Sequence, residues 1–475
     1  MPLPTHPILR AVAWLSVAFL IPGCSSSDSR AEAALGEYQT AAAANDMWGA
    51  RNALLKLVRA KDDVADYWAE LGKVQAAMGS YGDAYYAFTR AYELDRSNPG
   101  LVRVLTELAL RSGDIGMAQA HAQELEVLSP GDPWVKLVKG WAAFSESRFD
   151  QSLAVSDQLL AATPFDPSAT ILKARALTGL NREDEALDLL TKQVQSQPSD
   201  AGSFMLLAKI YQRRTDWPKV AEITRRIAQL APQDQQNMLL LVEAALRSGN
   251  VRLAREASFK LLQPQADPTL VRSVLDRWTD FWPSPQRIED AKRLAAGAGP
   301  EQRLIYAGFL TRIGSPADAV RLVNSAATLP VNAGNAEANA VLGDALLQGG
   351  KLAEAKSRLD AVIAFDPGNS TALRARAELE IRTGQANAAI EDAQKLVAVL
   401  PTSAPDRLLL ARAYSAAGNR AWTERTLWAA FQDIPGDEHI YAALRSTRNG
   451  NVEAMNQLQA EFERQRSANL RRGLL

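Results

Sequence analysis

Seven prolines keep time along this chain. Pro130, Pro164, Pro198 and Pro232 stand 34 residues apart, and Pro367, Pro401 and Pro435 repeat the interval. Punctuation at a fixed period marks an array of one repeated unit. A period of this length holds two short helices and two turns. Apolar residues recur at helical spacing in runs such as Ala69–Met78 and Asp83–Leu94. Glycines follow the first run at Gly79, Gly113, Gly249, Gly314, Gly350, Gly384 and Gly418. Such a glycine ends a helix, and proline ends the second helix or opens the next. Small residues recur early in the second run, at Ala50, Ala84, Ala118, Ser152, Ala186, Ala254, Ala355 and Ala389. They let two helices approach closely. One hairpin cannot bury both of its faces, so neighbours must stack.

Tyr67-Trp68-Ala69-Glu70-Leu71-Gly72, followed by Gly79, Ala84, Phe88 and Ala91, resembles the tetratricopeptide repeat (TPR). That family reads W-x2-L-G, a turn glycine, A-x3-F-x2-A, then proline. The resemblance runs over residues 31–465 and implies an all-α, right-handed superhelical solenoid of helix-turn-helix pairs. Units are expected to begin near Ala31, Ala65, Pro99, Pro133, Pro167, Ala201 and Gln235, then near Pro268, Pro300, Ala336, Ser370 and Ala404. A shortened unit follows from Glu438, and the polar, basic tail Gln465–Leu475 is expected to be solvated or frayed.

Two places break the rhythm. Residues 264–299 carry Trp278, Phe281, Trp282 and Pro283-Ser284-Pro285, and residues 330–335 lengthen a loop. Either the curvature changes there, dividing an N-terminal from a C-terminal array, or the repeats have decayed and the aromatics fill core. The expected organisation is a signal peptide at 1–23, a lipidated cysteine and tether at 24–30, a TPR array at 31–264, degenerate units at 265–335, a second array at 336–437, and capping helices with the tail at 438–475.

The N-terminus reads as an address. Ala11–Ile21 is an apolar run too short to span a bilayer and of signal-peptide length. It leads into Ile21-Pro22-Gly23-Cys24, which resembles the bacterial lipobox, with Pro22 in place of the usual small residue. The resemblance implies acylation of Cys24, the sole cysteine of the chain. With Ser25 rather than aspartate after it, the same resemblance implies the outer membrane, facing the periplasm.

Reactive chemistry is hard to place here. One cysteine excludes a disulfide framework and any multi-thiolate metal site, and the three histidines are scattered. No catalytic or nucleotide-binding motif occurs. The expectation is a non-enzymatic chain with no cofactor and no metal. Lys+Arg 53 against Asp+Glu 54 argues against nonspecific nucleic-acid binding.

The TPR resemblance assigns the concave surface to positions 2, 5, 9, 12 and 13 of each first helix. The basic residues there are Lys73, Arg103, Arg111, Arg175, Lys209, Arg213, Arg247, Arg374, Arg382 and Arg412, against the acidic Glu107, Glu243, Asp344 and Glu378. A surface of one prevailing sign focuses potential on an anionic partner. The alternative is that these side chains are paired or snorkelling on a solvated face. Trp134, Trp141 and Phe144 share such positions at i, i+7 and i+10. They either face a peptide or sugar ring, or have rotated into core. The Lys and Asn of the TPR carboxylate clamp are not found together, so chaperone tails are not expected ligands.

The expectation is a protein-interaction scaffold of the bacterial envelope, attached to the membrane only through its lipid. Its partners would be envelope proteins or an anionic polymer, and no nucleic acid. The basic positions and exposed aromatics tilt the reading to exopolysaccharide synthesis or export. Assembly of a pilus, secretion or outer-membrane machine, or control of a cell-wall enzyme, is the alternative.

Overall fold

The computed structural model describes residues 26–448 and 451–474, and these contain twenty-six α-helices and no strand. The lipobox and Cys24 lie outside the described residues. Two compact units divide the chain. The first holds the residues up to Ile210 with Gln229–Ala231, and the second holds Tyr211–Ala228 with everything from Pro232.

The helices up to the second unit are α1 (Ser26–Ala43), α2 (Met47–Ala60), α3 (Ala65–Ala77), α4 (Tyr81–Leu94), α5 (Pro99–Ser112), α6 (Ile115–Leu128), α7 (Pro133–Ser145), α8 (Phe149–Ala162), α9 (Pro167–Gly179), α10 (Glu183–Ser196) and α11 (Ala201–Arg213), whose last turn already belongs to that unit. Then come α12 (Trp217–Leu230), α13 (Gln235–Arg247), α14 (Val251–Leu261), α15 (Pro268–Phe281), α16 (Gln286–Ala296), α17 (Pro300–Arg312), α18 (Pro316–Val323) and α19 (Ala336–Gln348). The series ends with α20 (Leu352–Phe365), α21 (Ser370–Arg382), α22 (Ala386–Val399), α23 (Ala404–Ala416), α24 (Arg420–Asp433), α25 (Glu438–Thr447) and α26 (Val452–Leu474).

Every expected unit start from Ala65 onward is the first residue of an odd-numbered helix. Local chemistry explains the agreement. Asn98, Asp132, Asp166, Asp234, Asp267, Asn369, Ser403 and Asp437 each cap such a helix by accepting from a backbone N–H of its first turn. Proline at the first helical position costs no hydrogen bond at Pro99, Pro133, Pro167, Pro268 and Pro300.

The first start differs. α1 begins at Ser26 rather than Ala31, so residues 26–30 are helix rather than tether. Asp28 lies in its first turn, where the helix dipole favours an acid, and bonds Lys61 at 2.8 Å. Ala31 and Ala34 are buried against Leu54, Leu57 and Leu71. α26 continues through the tail to Leu474.

The turn after the first helix is left-handed at one fixed position in every pair from α1–α2 to α23–α24 except α15–α16. The seven turn glycines have φ between 72° and 86°. At the same phase stand Asn45, Ser147, Asn181 and Thr215, with φ of 53°, 60°, 60° and 56°. A β-branched residue is poorly tolerated there. Thr215→Gly is therefore expected to stabilise the second unit by about 1 kcal/mol. Urea unfolding checks this, and an unchanged midpoint would show that Thr215 carries no strain. Early in each second helix, the predicted small residues Ala50, Ala84, Ala118, Ser152, Ala186, Ala254, Ala355 and Ala389 are all at most 3% exposed. Close approach is also visible at Gly72, where a Cβ would stand 2.8 Å from the Phe88 ring.

The division into two compact units falls around residues 210–232, and residues 265–335 lie within the second unit. Residues 265–335 contribute to an apolar cluster that runs from Met238 to Leu379. Trp278 is fully buried and Trp282 nearly so, with their rings edge-to-face at 5.0 Å. Trp278 also packs on Phe309 and donates from Nε1 to Ser258 Oγ at 2.9 Å. Core filling explains these aromatics. The longer loop after the short helix α18 is tied inward. Asn335 Nδ2 donates to the carbonyls of Thr328 and Pro330 at 3.1 Å, and Arg358 donates to the Ala327 carbonyl.

In the second unit, each odd helix from α13 to α23 packs on the next odd helix. The even helices pack chiefly on their neighbours in sequence. The odd helices are thus the inner layer, and their faces are where a partner would be met.

Candidate partner-binding cavity

Within the second unit, α17, α19, α21, α23 and α25 line a cavity of about 820 Å³, with Thr423 and Leu427 of α24 at its side. α17 contributes Thr311 and Arg312, while α25 contributes His439, Ala443, Ser446 and Thr447. The first and last of these helices therefore face the same open cavity. Asp280 of α15 also lies within electrostatic reach of His439.

Arg374, Arg382 and Arg412 all line this cavity. They are not unopposed. Arg374 makes a two-pronged pair with Asp406, Nε to Oδ1 at 2.7 Å and Nη2 to Oδ2 at 3.0 Å. Asp406 also accepts from Ser403 Oγ at 2.7 Å. Arg382 donates to Glu378 at 3.2 Å and to Gln348 Oε1 at 2.6 Å. Arg412 pairs with Glu378, and Arg312 pairs with Asp276 at 2.8 Å. Asp344 accepts from Gln348 Nε2 at 3.4 Å. Burial pushes its carboxyl up, although Arg374 and Arg382 pull it down.

The other basic candidates divide. Arg103 donates from Nε to Asp132 at 3.1 Å, and Arg111 to Glu107 at 2.9 Å. Arg247 pairs with Glu243 at 3.0 Å and lies between the rings of Trp217 and Phe281, 4.4 and 3.9 Å from their centroids. Arg175 stands over the Trp141 ring at 5.3 Å, and burial lowers its pKa. Desolvation and the charge of Arg175 depress Lys209. Arg213 is half-buried at the end of α11.

The expected predominance of positive charge is therefore corrected. Arg103, Arg111, Arg247, Arg374, Arg382 and Arg412 are all paired with carboxylates. Two of those carboxylates, Asp132 and Asp406, belong to the first turn or cap of the following odd helix and fall outside the counted slots. The signal was present as an aspartate beside the proline that opens the next unit, in Asp132-Pro133 and Pro405-Asp406.

In the aromatic strip, the core alternative holds for Phe144. Phe144 is buried in a cluster with Leu137 and Leu172, edge-to-face with Trp141 at 5.6 Å and 5.4 Å from Phe149. Trp134 and Trp141 are half-buried against the same cluster. Residues at i, i+7 and i+10 straddle the boundary between the helix's inner face and its packing face, so the last ring turns inward.

α21 carries a second set of charges that the slot reading did not include. Arg376 donates from Nε and Nη2 to Asp392 at 2.7 and 3.0 Å, and from Nη1 to Asp360 at 3.2 Å. Glu380 lies 3.8 Å from Arg376, is buried, and its Oε2 meets no hydrogen-bond donor. Burial, with Asp392 adding to it, raises its carboxyl to about 7. Among the described residues, no group of three or more His, Cys, Asp or Glu is placed to hold a metal ion. Also among them, no helix is long and apolar enough to cross a membrane.

Residues 136–270 match the family described as Psidin, N-terminal TPR repeats region, and residues 310–379 match a tetratricopeptide repeat family. No curated protein matches the chain. Among solved structures, the chain is similar to PilW, a type IV pilus biogenesis factor, at 19% identity over 42% of this chain and 91% of that one, with a TM-score of 0.33. It is similar to MamA at 17% identity, over 37% and 96% of the two chains, TM-score 0.30. A TPR protein of Thermus thermophilus gives 18% identity, 38% and 100%, TM-score 0.34.

Proposed function

We propose that this chain is a non-catalytic, protein-binding scaffold of the bacterial cell envelope, held to the periplasmic side of the outer membrane by a lipid on Cys24. TPR matches support the binding mode. The observation that carries the reading is the inner layer of odd helices, which lines an open cavity edged by Arg312, Arg374, Arg382 and Arg412.

Electrostatics favours a protein partner over an anionic polymer. The four arginines are matched by Asp276, Asp344, Glu378 and Asp406. Polyanion binding needs a net positive footprint that releases counterions. The lean toward exopolysaccharide rested on the basic positions and the exposed aromatics; the arginines are paired and Phe144 is buried, so both supports are weakened. Assembly of an envelope machine from protein partners is the reading kept.

Two experiments test this. In cells fed radioactive palmitate, the wild-type chain is expected to be labelled and Cys24→Ala unlabelled and released from membranes. Label that is absent from the wild type, or that persists in the variant, removes the anchor. A photo-crosslinking residue at Thr371, on the cavity wall, is expected to trap a discrete protein partner in living cells. Absence of any trapped protein removes the scaffold role.

A further inference from the structure

We infer that the outward face of α24 docks on an anionic phospholipid leaflet, with Trp422 and Trp428 at headgroup depth and Arg425 and Arg448 on the phosphates. The inference goes beyond the scaffold reading and takes from it only that such a leaflet lies within the chain's reach.

α24 is an even helix that packs on α23 and α25. Its inward side is Thr423, Thr426, Leu427, Ala430 and Phe431, all buried. Trp422, Arg425 and Trp428 follow one another at steps of three residues. A step of three falls short of a full turn, so these side chains fan across the opposite side with Arg425 in the middle. All three are exposed, the two indoles by 46% and 37%. Large apolar groups gathered on an outer face mark a contact surface.

Neighbouring groups hold this fan in place without covering it. Tyr414 stacks on Trp422 at 5.7 Å, and the Arg425 guanidinium lies 5.0 Å from the same ring. Trp428 meets Phe431 at 5.7 Å and carries Arg448 at 5.1 Å. Rings already held lose little freedom on docking. Among the described residues, neither guanidinium has a carboxylate partner. The acids of α24 are engaged elsewhere: Glu424 accepts from Arg420 at 3.3 Å, and Asp433 from Arg407 at 2.8 Å.

Charge and shape choose the occupant. Indoles are apolar with one polar edge and settle at a membrane–water interface. Guanidiniums bond phosphate oxygens and are drawn to an anionic leaflet. A second copy set on the same face would bring Arg425 against Arg425, which repels. The fan stands on the outside of one helix, where a flat leaflet meets both indoles and Arg425 at once. The contact is tangential, since among the described residues no helix is long and apolar enough to cross a membrane.

The test floats the full chain carrying Cys24→Ala, so that no acyl group contributes, with lipid vesicles. One set is phosphatidylcholine alone, and the other contains about one-third phosphatidylglycerol. The chain is expected to bind the anionic vesicles about tenfold more strongly than the neutral ones, and less as salt rises. Arg425→Gln is expected to weaken that binding about fivefold, the worth of one basic residue near such a surface. Trp422→Ala is expected to weaken it as well, with retained helical circular dichroism showing that the variant folds. Arg252→Gln, which removes a 90% exposed cation from α14, is expected to change nothing. The apolar run at residues 11–21 is present in every variant, so the differences report on α24. Equal affinity for both vesicles, binding unchanged in Arg425→Gln and Trp422→Ala, or equal losses in Arg425→Gln and Arg252→Gln would overturn the inference. Vesicles left unbound while a photo-crosslinker at Ala421 traps a protein would overturn it too, and make this face a protein interface. The outcome is separable from that of the scaffold reading: the vesicles are supplied and the anchor is removed, so a partner trapped at Thr371 leaves the scaffold standing whatever the vesicles do.

Discussion

Trp278→Ala is expected to lower the stability of the second unit by about 3–5 kcal/mol, the range for a fully buried large aromatic. The loss has three parts. The indole leaves a void beside Trp282, Phe259 and Phe309, which touch it edge-on. The surrounding cluster runs from Met238 to Leu379, so collapse at one point is resisted on every side. The buried Ser258 hydroxyl also loses its indole donor. Trp278→Phe should recover more than half of the loss, because a ring still fills the space. Urea unfolding followed by circular dichroism reads both variants. A loss below about 1 kcal/mol for the alanine variant would contradict the core role and reopen the idea that this region is a seam.

Glu380→Gln is expected to do the opposite, stabilising the chain by about 1–2 kcal/mol at pH 8 after allowance for solvent screening. In the fold the Glu380 carboxyl is raised to about 7 from its ordinary 4.5, first by burial and then by Asp392. Folding therefore takes up a proton between those values. The group's favourable contribution is present below about pH 4.5 and lost as pH rises through 7. Arg376 opposes the shift but is already engaged by Asp392 and Asp360. The glutamine variant should lose the decline in stability between pH 5 and pH 8, and its advantage should vanish at the acid end. Unfolding midpoints at the two pH values decide the matter: parallel pH profiles for variant and wild type would show that Glu380 is not the titrating group.

The repeat framework was legible because it is written locally. A cap, a proline and a left-handed turn act within a few residues, so a single period carries them all. Asn369, Gly384 and Pro401 punctuate one unit without reference to any other. What joins one repeat to the next was not legible in the same way. Asp406 lies 32 residues from Arg374 in sequence, and Asp132 lies 29 from Arg103. Counting one face of one helix sees the arginine and misses its partner. Trp278 misled for a related reason: a ring that departs from the repeat pattern reads equally as a break or as filling, and only its neighbours decide. Lys61, which receives the start of α1, sits beyond the end of α2 and gave no sign that Asp28 would meet it.

The arginine ties give the stack something apolar contact alone does not supply. Methyl groups packed on methyl groups tolerate sliding, but a two-pronged guanidinium–carboxylate pair has one bearing and one separation. Arg374 and Asp406 belong to successive helix pairs, as do Arg103 and Asp132. Each such rivet sets the angle at its own joint. Under a pull along the chain, slippage would begin at the joints held by hydrocarbon alone, leaving the riveted blocks to move as stiff segments.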